Sequence, residues 1–104
     1  MRYVIGRIRV RAGKRQEFLD RVQPFVEAAR AIPGCVYFHE TADSQDEDLV
    51  LVAECFTDAE AHAEHLRSAH YEAFTPIFAE YLISGEFDDL DAVSLEPTHV
   101  DFSH

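Results

Sequence analysis

The chain has 104 residues, with 9 Lys plus Arg against 20 Asp plus Glu and a formal net charge of −11 with histidines neutral. A chain of this length forms one domain, residues 1–104, that buries about two thirds of its unfolded surface, and its negative charge repels a phosphate backbone, which excludes nucleic acid as an expected partner. No apolar run reaches the roughly 18 residues of a membrane span, and Met1-Arg2-Tyr3-Val4-Ile5-Gly6-Arg7 lacks the long apolar centre of a signal peptide, so a cytoplasmic protein with no membrane partner is expected.

Residues 2–10 place Val4, Ile8 and Val10 on one side and Tyr3 and Ile5 on the other, which predicts a first strand with both faces partly covered. Ala12-Gly13 interrupts it. Phe18, Val22, Phe25 and Ala29 then recur at helical spacing, with Leu19 and Val26 widening the stripe, so a helix over about 14–31 follows. It must tolerate or bend at Pro24, and Pro33-Gly34 ends it. Residues 35–41 and 49–56 are β-rich runs joined by the polar segment 42–48, and they read as an antiparallel hairpin. A symmetric loop sets Cys35 opposite Cys55, and in a reducing cytoplasm two packed free thiols are expected there.

Thr57 followed by Glu60 has the pattern of a capping box, so the strand gives way at once to a helix. The second helical region spans about 58–82, broken near Ser68, with Phe74, Phe78 and Tyr81 on one stripe and Pro76 as a kink or a new start. Residues 85–95 form the last strand candidate. In the tail, 97–104, only Val100 and Phe102 offer packing against a partner. Basic residues concentrate between Arg2 and Arg30, whereas acids crowd into 43–48 and 86–96 as solvated segments.

The order β-α-β-β-α-β predicts a ferredoxin-like α+β fold, an antiparallel sheet with its helices on one face. Leu49-Val50-Leu51-Val52-Ala53 is apolar on both faces, whereas a sheet with one wet face alternates. The uncovered face therefore calls for a second copy, and a homodimer is expected.

Pro33-Gly34-Cys35 before the second strand, then Glu54-x-Phe56-x-Asp58 leading through Ala61 and His65 to Ser68-x-His70, resemble the antibiotic biosynthesis monooxygenase family over about residues 2–95. The resemblance implies a dimeric α+β barrel. It also implies oxygen insertion into a quinol or polyphenolic aromatic substrate with no cofactor and no metal, the substrate being its own reductant. In the family pattern the position of Phe56 is usually Trp and tends to line the ligand cavity. Relatives include haem-degrading enzymes, which carry a first-strand Asn and the cavity Trp. This chain has Gly6-Arg7 in its first strand and no Trp anywhere. An isomerase or lyase acting on a small oxygenated metabolite, and a ligand-binding, stress-associated dimer without chemistry, are the alternative readings.

Oxygenation of a phenol needs a group to remove the phenolic proton and a dry pocket to shield the radical pair. His65, His70 and Glu54 are the catalytic candidates, His65 first because it matches the family pattern and titrates near neutral pH. Phe38, Phe56, Phe74, Phe78, Tyr37 and Tyr81 are candidates to wall an aromatic ligand. His39, on the same face as Tyr37 if the second strand is regular, is a further candidate cavity residue. Glu54 follows an apolar strand, so it is expected to be paired or protonated, with Arg7 or Arg9 across the sheet as a structural partner. Arg7 is equally placed to orient a ligand. His62 is expected on the exposed side of its helix, and His62-x-x-His65 does not have the metalloprotease spacing.

Overall fold

The computed structural model describes residues 1–93 and 97–101. Strand β1 (Arg2–Val10) is followed by helices α1 (Arg15–Arg21) and α2 (Gln23–Arg30), then by the hairpin of β2 (Cys35–Ala42) and β3 (Leu49–Phe56). Helices α3 (Ala59–Leu66) and α4 (Ala69–Tyr81) come next, and β4 (Leu82–Asp91) closes the order. The sheet runs β2-β3-β1-β4 with every neighbouring pair antiparallel, the ferredoxin-like arrangement.

Register decides which side chains meet the helices. Val4 lies opposite Glu54 and Asp89, Gly6 opposite Val52 and Phe87, and Ile8 opposite Val50 and Gly85. On β2, Phe38 lies opposite Glu54 and Glu40 opposite Val52. Directly paired residues share a face, so these positions form one surface, and the core gathers on it: Ile8, Val10, Phe38, Val50 and Val52 from the sheet, and Phe18, Val22, Phe25 and Val26 from α1, α2 and the residue between them.

The expected helix over 14–31 is two helices meeting at Val22, whose φ of −89° and ψ of 0° interrupt the spiral. Pro24 is the cause: without an N–H, and with a ring that clashes one turn back, it fits the first turn of a new helix but not the interior of a continuous one. At Gly34 the backbone takes φ +92°, and any Cβ would lie 2.8 Å from both the Ala61 Cβ and the Thr57 hydroxyl. Only glycine both makes the turn and admits that approach.

Three further expectations are corrected. The cap of α3 is Asp58, not Thr57: the Asp58 carboxylate accepts the Ala61 N–H at 2.8 Å. A bulge between Cys35 and Tyr37 sets Tyr37 opposite Cys55 and Cys35 opposite Phe56, so the cysteines are not cross-strand partners; both are free. Strand β4 starts directly at the end of α4, three residues before the expected Gly85, and ends at Asp91; Leu95 and Phe102 lie outside the described residues. Ser68 caps α4, which continues through Pro76. Among the described residues no helix is long and apolar enough to cross a membrane.

Asp58→Ala is expected to lower stability in urea unfolding by about 1 kcal/mol, with Thr57→Ala costing less. The reverse ranking would restore Thr57 as the cap.

Candidate functional site

Between the sheet and helices α2, α3 and α4 lies a cavity of about 520 Å³. Its floor is the helix-facing sheet surface, with Val4, Ile8, Phe38, Val52 and Gly85, and its roof is Phe25, Tyr71 and Phe78. Leu66, Ile83 and Phe87 line it while remaining at least half exposed, and so mark its mouth. The Phe87 ring rests against Gly6, where a Cβ would come within 2.6 Å of it. Phe25 organises the roof, its ring centroid lying 5.1 to 5.8 Å from those of Phe38, His65, His70, Tyr71, Phe74 and Phe78.

Into this apolar space project Glu40, Glu54, Asp89, His62 and His65, with no Lys or Arg among the lining residues. His65 is 2% exposed and Glu54 7%. The His65 Nε2 lies 3.9 Å from the Glu54 Oε1, too far for a hydrogen bond. That oxygen and the Glu40 Oε2 are buried and have no hydrogen-bond partner among the described residues. Burial, then the neighbouring Glu40 and Asp89, raise the Glu54 carboxyl from an ordinary 4.5 to about 8. Burial alone raises Glu40 to about 7. Burial, then His70 and His62, hold His65 down at about 4. At neutral pH the pair is therefore a neutral imidazole facing a largely protonated carboxyl, not an ion pair.

The hydrogen-bond inventory assigns the His65 tautomer. The Ser68 hydroxyl lies 2.7 Å from the His65 carbonyl oxygen and has only one proton, which it donates there. It accepts the Tyr71 N–H. Its 3.1 Å contact with the His70 Nε2 must then be supplied from the histidine, so His70 is protonated at Nε2. The same N–H faces the His65 Nδ1 at 3.1 Å, which accepts. His65 is left with its proton on Nε2, the atom facing Glu54, an assignment made from the network.

The expected site residues divide by sheet face. His65, Glu54, Phe38 and Phe78 line the cavity, whereas His70 stands behind His65 as its hydrogen-bond partner. Phe56 does not line it: fully buried, its ring stacks beneath His65 and tilts against His62. Phe74 packs on Phe25. Tyr81 turns to the other side of α4, donating its hydroxyl proton to Glu17. Tyr37 and His39 alternate onto the sheet face away from the helices and stack on each other. Arg7 occupies that same outer face, paired with Glu86 and Asp88, and Arg9 pairs with Asp46. Neither reaches Glu54, because adjacent strand residues point to opposite faces. His62 is not a surface residue: it is 6% exposed, and its Nδ1 accepts from the Arg2 guanidinium at 3.3 Å.

Glu40, Phe87 and Asp89 were not among the expected site residues, and Phe25 was expected only as part of the apolar stripe of its helix. Glu40 had a usable signal, since it lies two residues from Phe38 and must share its face.

A family model described as antibiotic biosynthesis monooxygenase matches residues 1–76. An uncharacterized protein of Synechocystis sp. is 28% identical over 71 residues, covering 68% of this chain and 48% of that protein, so the chain spans about half of that relative's length. Among solved structures, a Deinococcus radiodurans protein classed with the antibiotic biosynthesis monooxygenases superposes with a TM-score of 0.85 at 14% identity, covering 96% of this chain and 100% of that one. One from Nitrosomonas europaea, classed likewise, gives 0.82 at 18% identity, covering 90% and 100%. At these identities the structures share the fold.

The buried carboxyls make stability fall with alkalinity. Folded Glu40 and Glu54 hold their protons more tightly than an unfolded glutamate, so the stability they add is complete below about pH 4.5 and is lost as pH rises through about 7 and 8. His65, depressed, contributes above about pH 6.5 and loses that contribution as pH falls toward 4. Glu54→Gln is expected to flatten the alkaline fall and to exceed the wild type at about pH 9 by on the order of 3 kcal/mol in urea unfolding. Parallel stability curves for the two proteins would contradict the burial of an ionisable Glu54.

Proposed function

The chain belongs to the antibiotic biosynthesis monooxygenase family, and from that premise we propose that it is a cofactor-independent monooxygenase that oxidises a quinol or polyphenolic aromatic substrate with O2 in the cavity beneath α3. The observation that carries this reading is the His65–Glu54 pair, an N–H and a carboxyl set 3.9 Å apart and facing one aromatic-walled space. A phenolic oxygen seated between them accepts from His65 Nε2–H and gives its own proton to the ionised form of Glu54. A base titrating near 8 is closer to a phenol, which titrates near 10, than an ordinary carboxylate is. The role of base thus passes from His65, whose tautomer presents a donor, to Glu54.

Once formed, the phenolate transfers one electron to O2, and the aryloxyl radical and superoxide recombine at a ring carbon bearing hydrogen. The resulting peroxide anion takes the proton from Glu54. Loss of the ring C–H proton to Glu54 and cleavage of the O–O bond leave a ring carbonyl, and the departing hydroxide takes that proton as water. One oxygen atom enters the product, the other becomes water, and the substrate supplies all the electrons. The apolar walls keep water from the radical pair.

The functional unit in this reading is a homodimer. The sheet face opposite the helices exposes Ile5 and Leu90 and leaves Leu49, Leu51 and Ala53 only half-buried. A second copy covers that face, and light scattering at micromolar concentration is expected to give twice the monomer mass; a monomer would remove the dimer from the account.

Oxygen uptake by metal-stripped protein with reduced naphthoquinones and anthrols, against heat-inactivated controls, tests the chemistry. Glu54→Gln is expected to lower the rate by roughly a hundredfold or more, and His65→Ala by roughly a hundredfold through loss of the donor to the phenolate. The wild-type rate should climb with pH through about 8 as Glu54 ionises. Turnover that proceeds equally without oxygen would point to an isomerase or lyase; no turnover at all would leave a binding protein.

A further inference from the structure

Glu40 is a half-buried carboxyl group in the cavity that the proposed reaction leaves without a task. Its Oε2 is shielded from solvent and has no partner among the described residues, as is true of the Oε1 of Glu54, itself more than nine-tenths buried. The two sit on adjacent strands, Glu40 opposite Val52 and Glu54 opposite Phe38, which makes them diagonal neighbours on one sheet face. Side chains so placed start about 7 Å apart and reach the same space. A buried acceptor left unsatisfied carries a penalty that a bound donor removes. Asp89, whose carboxylate lies 3.8 Å from the Arg2 guanidinium, adds a third carboxyl group to the lining, and among the described lining residues there is no Lys or Arg.

We propose that Glu40 is a specificity-determining residue that accepts a hydrogen bond from a second donor group on the ligand held between His65 and Glu54, so that the cavity selects neutral aromatic diols and rejects aromatic anions. This rests on the reading of the cavity as an aromatic-substrate site, but it concerns recognition and not the reaction. A diol places one hydroxyl between His65 and Glu54 and offers the other to Glu40, removing both orphan acceptors at once. A ligand with one hydroxyl leaves Glu40 unpartnered. A ligand carboxylate brings a negative charge into a space of low dielectric beside Glu40 and Glu54, where the described lining residues offer no Lys or Arg and the nearby Arg2 guanidinium is already held by Asp89, Asp91 and His62.

Binding measured by calorimetry under argon keeps recognition separate from turnover. Dihydroxynaphthalenes are expected to bind wild-type protein roughly tenfold or more tightly than 1-naphthol, and hydroxynaphthoates more weakly than either. In Glu40→Leu the diol-to-naphthol ratio should fall to near unity. Glu40→Gln, which keeps an acceptor but removes the charge, should retain most of the diol preference while improving hydroxynaphthoate binding. Circular dichroism melts of both variants confirm folding. Equal wild-type affinities for diol and naphthol, a ratio unchanged in Glu40→Leu, or no diol binding up to millimolar concentration would each overturn the proposal. Diol selectivity without oxygen uptake would instead sink the monooxygenase reading and leave this one standing.

Discussion

The Oε1 of Glu54 is buried, has no hydrogen-bond partner among the described residues, and faces the imidazole of His65 at 3.9 Å. Two such groups in water would form an ion pair; here desolvation opposes both charges, and each group moves toward its neutral form. Several other features hold that arrangement in place. Phe56 lies under His65 and Phe25 beside it, which fixes the ring plane. Ser68 both caps α4 and, through His70, sets the proton of His65 on the nitrogen facing the cavity. The break between α3 and α4 thus has a chemical consequence as well as a geometric one.

Much of the architecture was legible because it rests on local signals. Pro33-Gly34 marks a turn where Gly34 takes φ +92°, and the β-branched and apolar run Leu49–Phe56 is the strand that its composition indicates. The alternation around Phe38 and Glu54 places both on the helix side. Where the reading failed, a nonlocal contact or a one-residue shift intervened. Tyr37 and His39 alternate with Phe38 and Glu40, which hold the helix side, and so point away from the cavity, while the bulge after Cys35 takes Cys35 out of register with Cys55. His62, flanked by acids in sequence, is buried because α3 lies against Phe56 and the Arg2 side chain reaches it from β1. Glu40 reads as one more acid in an acidic region until its strand partner is known to be Val52.

Fold alone does not choose the reaction, and the same sheet-and-helix frame serves unrelated chemistries. The inventory of its cavity is what bears on the reaction: aromatic walls, histidines held toward their neutral forms, and the carboxyl groups of Glu40 and Glu54 with no Lys or Arg among the described lining residues. In the proposed reaction that combination favours an uncharged aromatic ligand that gives up a proton over a phosphorylated or carboxylated one. Substitution of Phe for the more usual Trp at position 56 affects the support beneath His65, not the cavity wall itself.

The protonation state of Glu54 is the claim on which the rest depends. Carbon-13 NMR titration of the side-chain carboxyl resonances, with Glu54→Gln to assign the signal, reads it directly. The account predicts a midpoint near 8, with the carboxyl mostly protonated at neutral pH. A midpoint at the ordinary glutamate value of about 4.3 would mean that Glu54 is ionised and solvated, and would contradict the account.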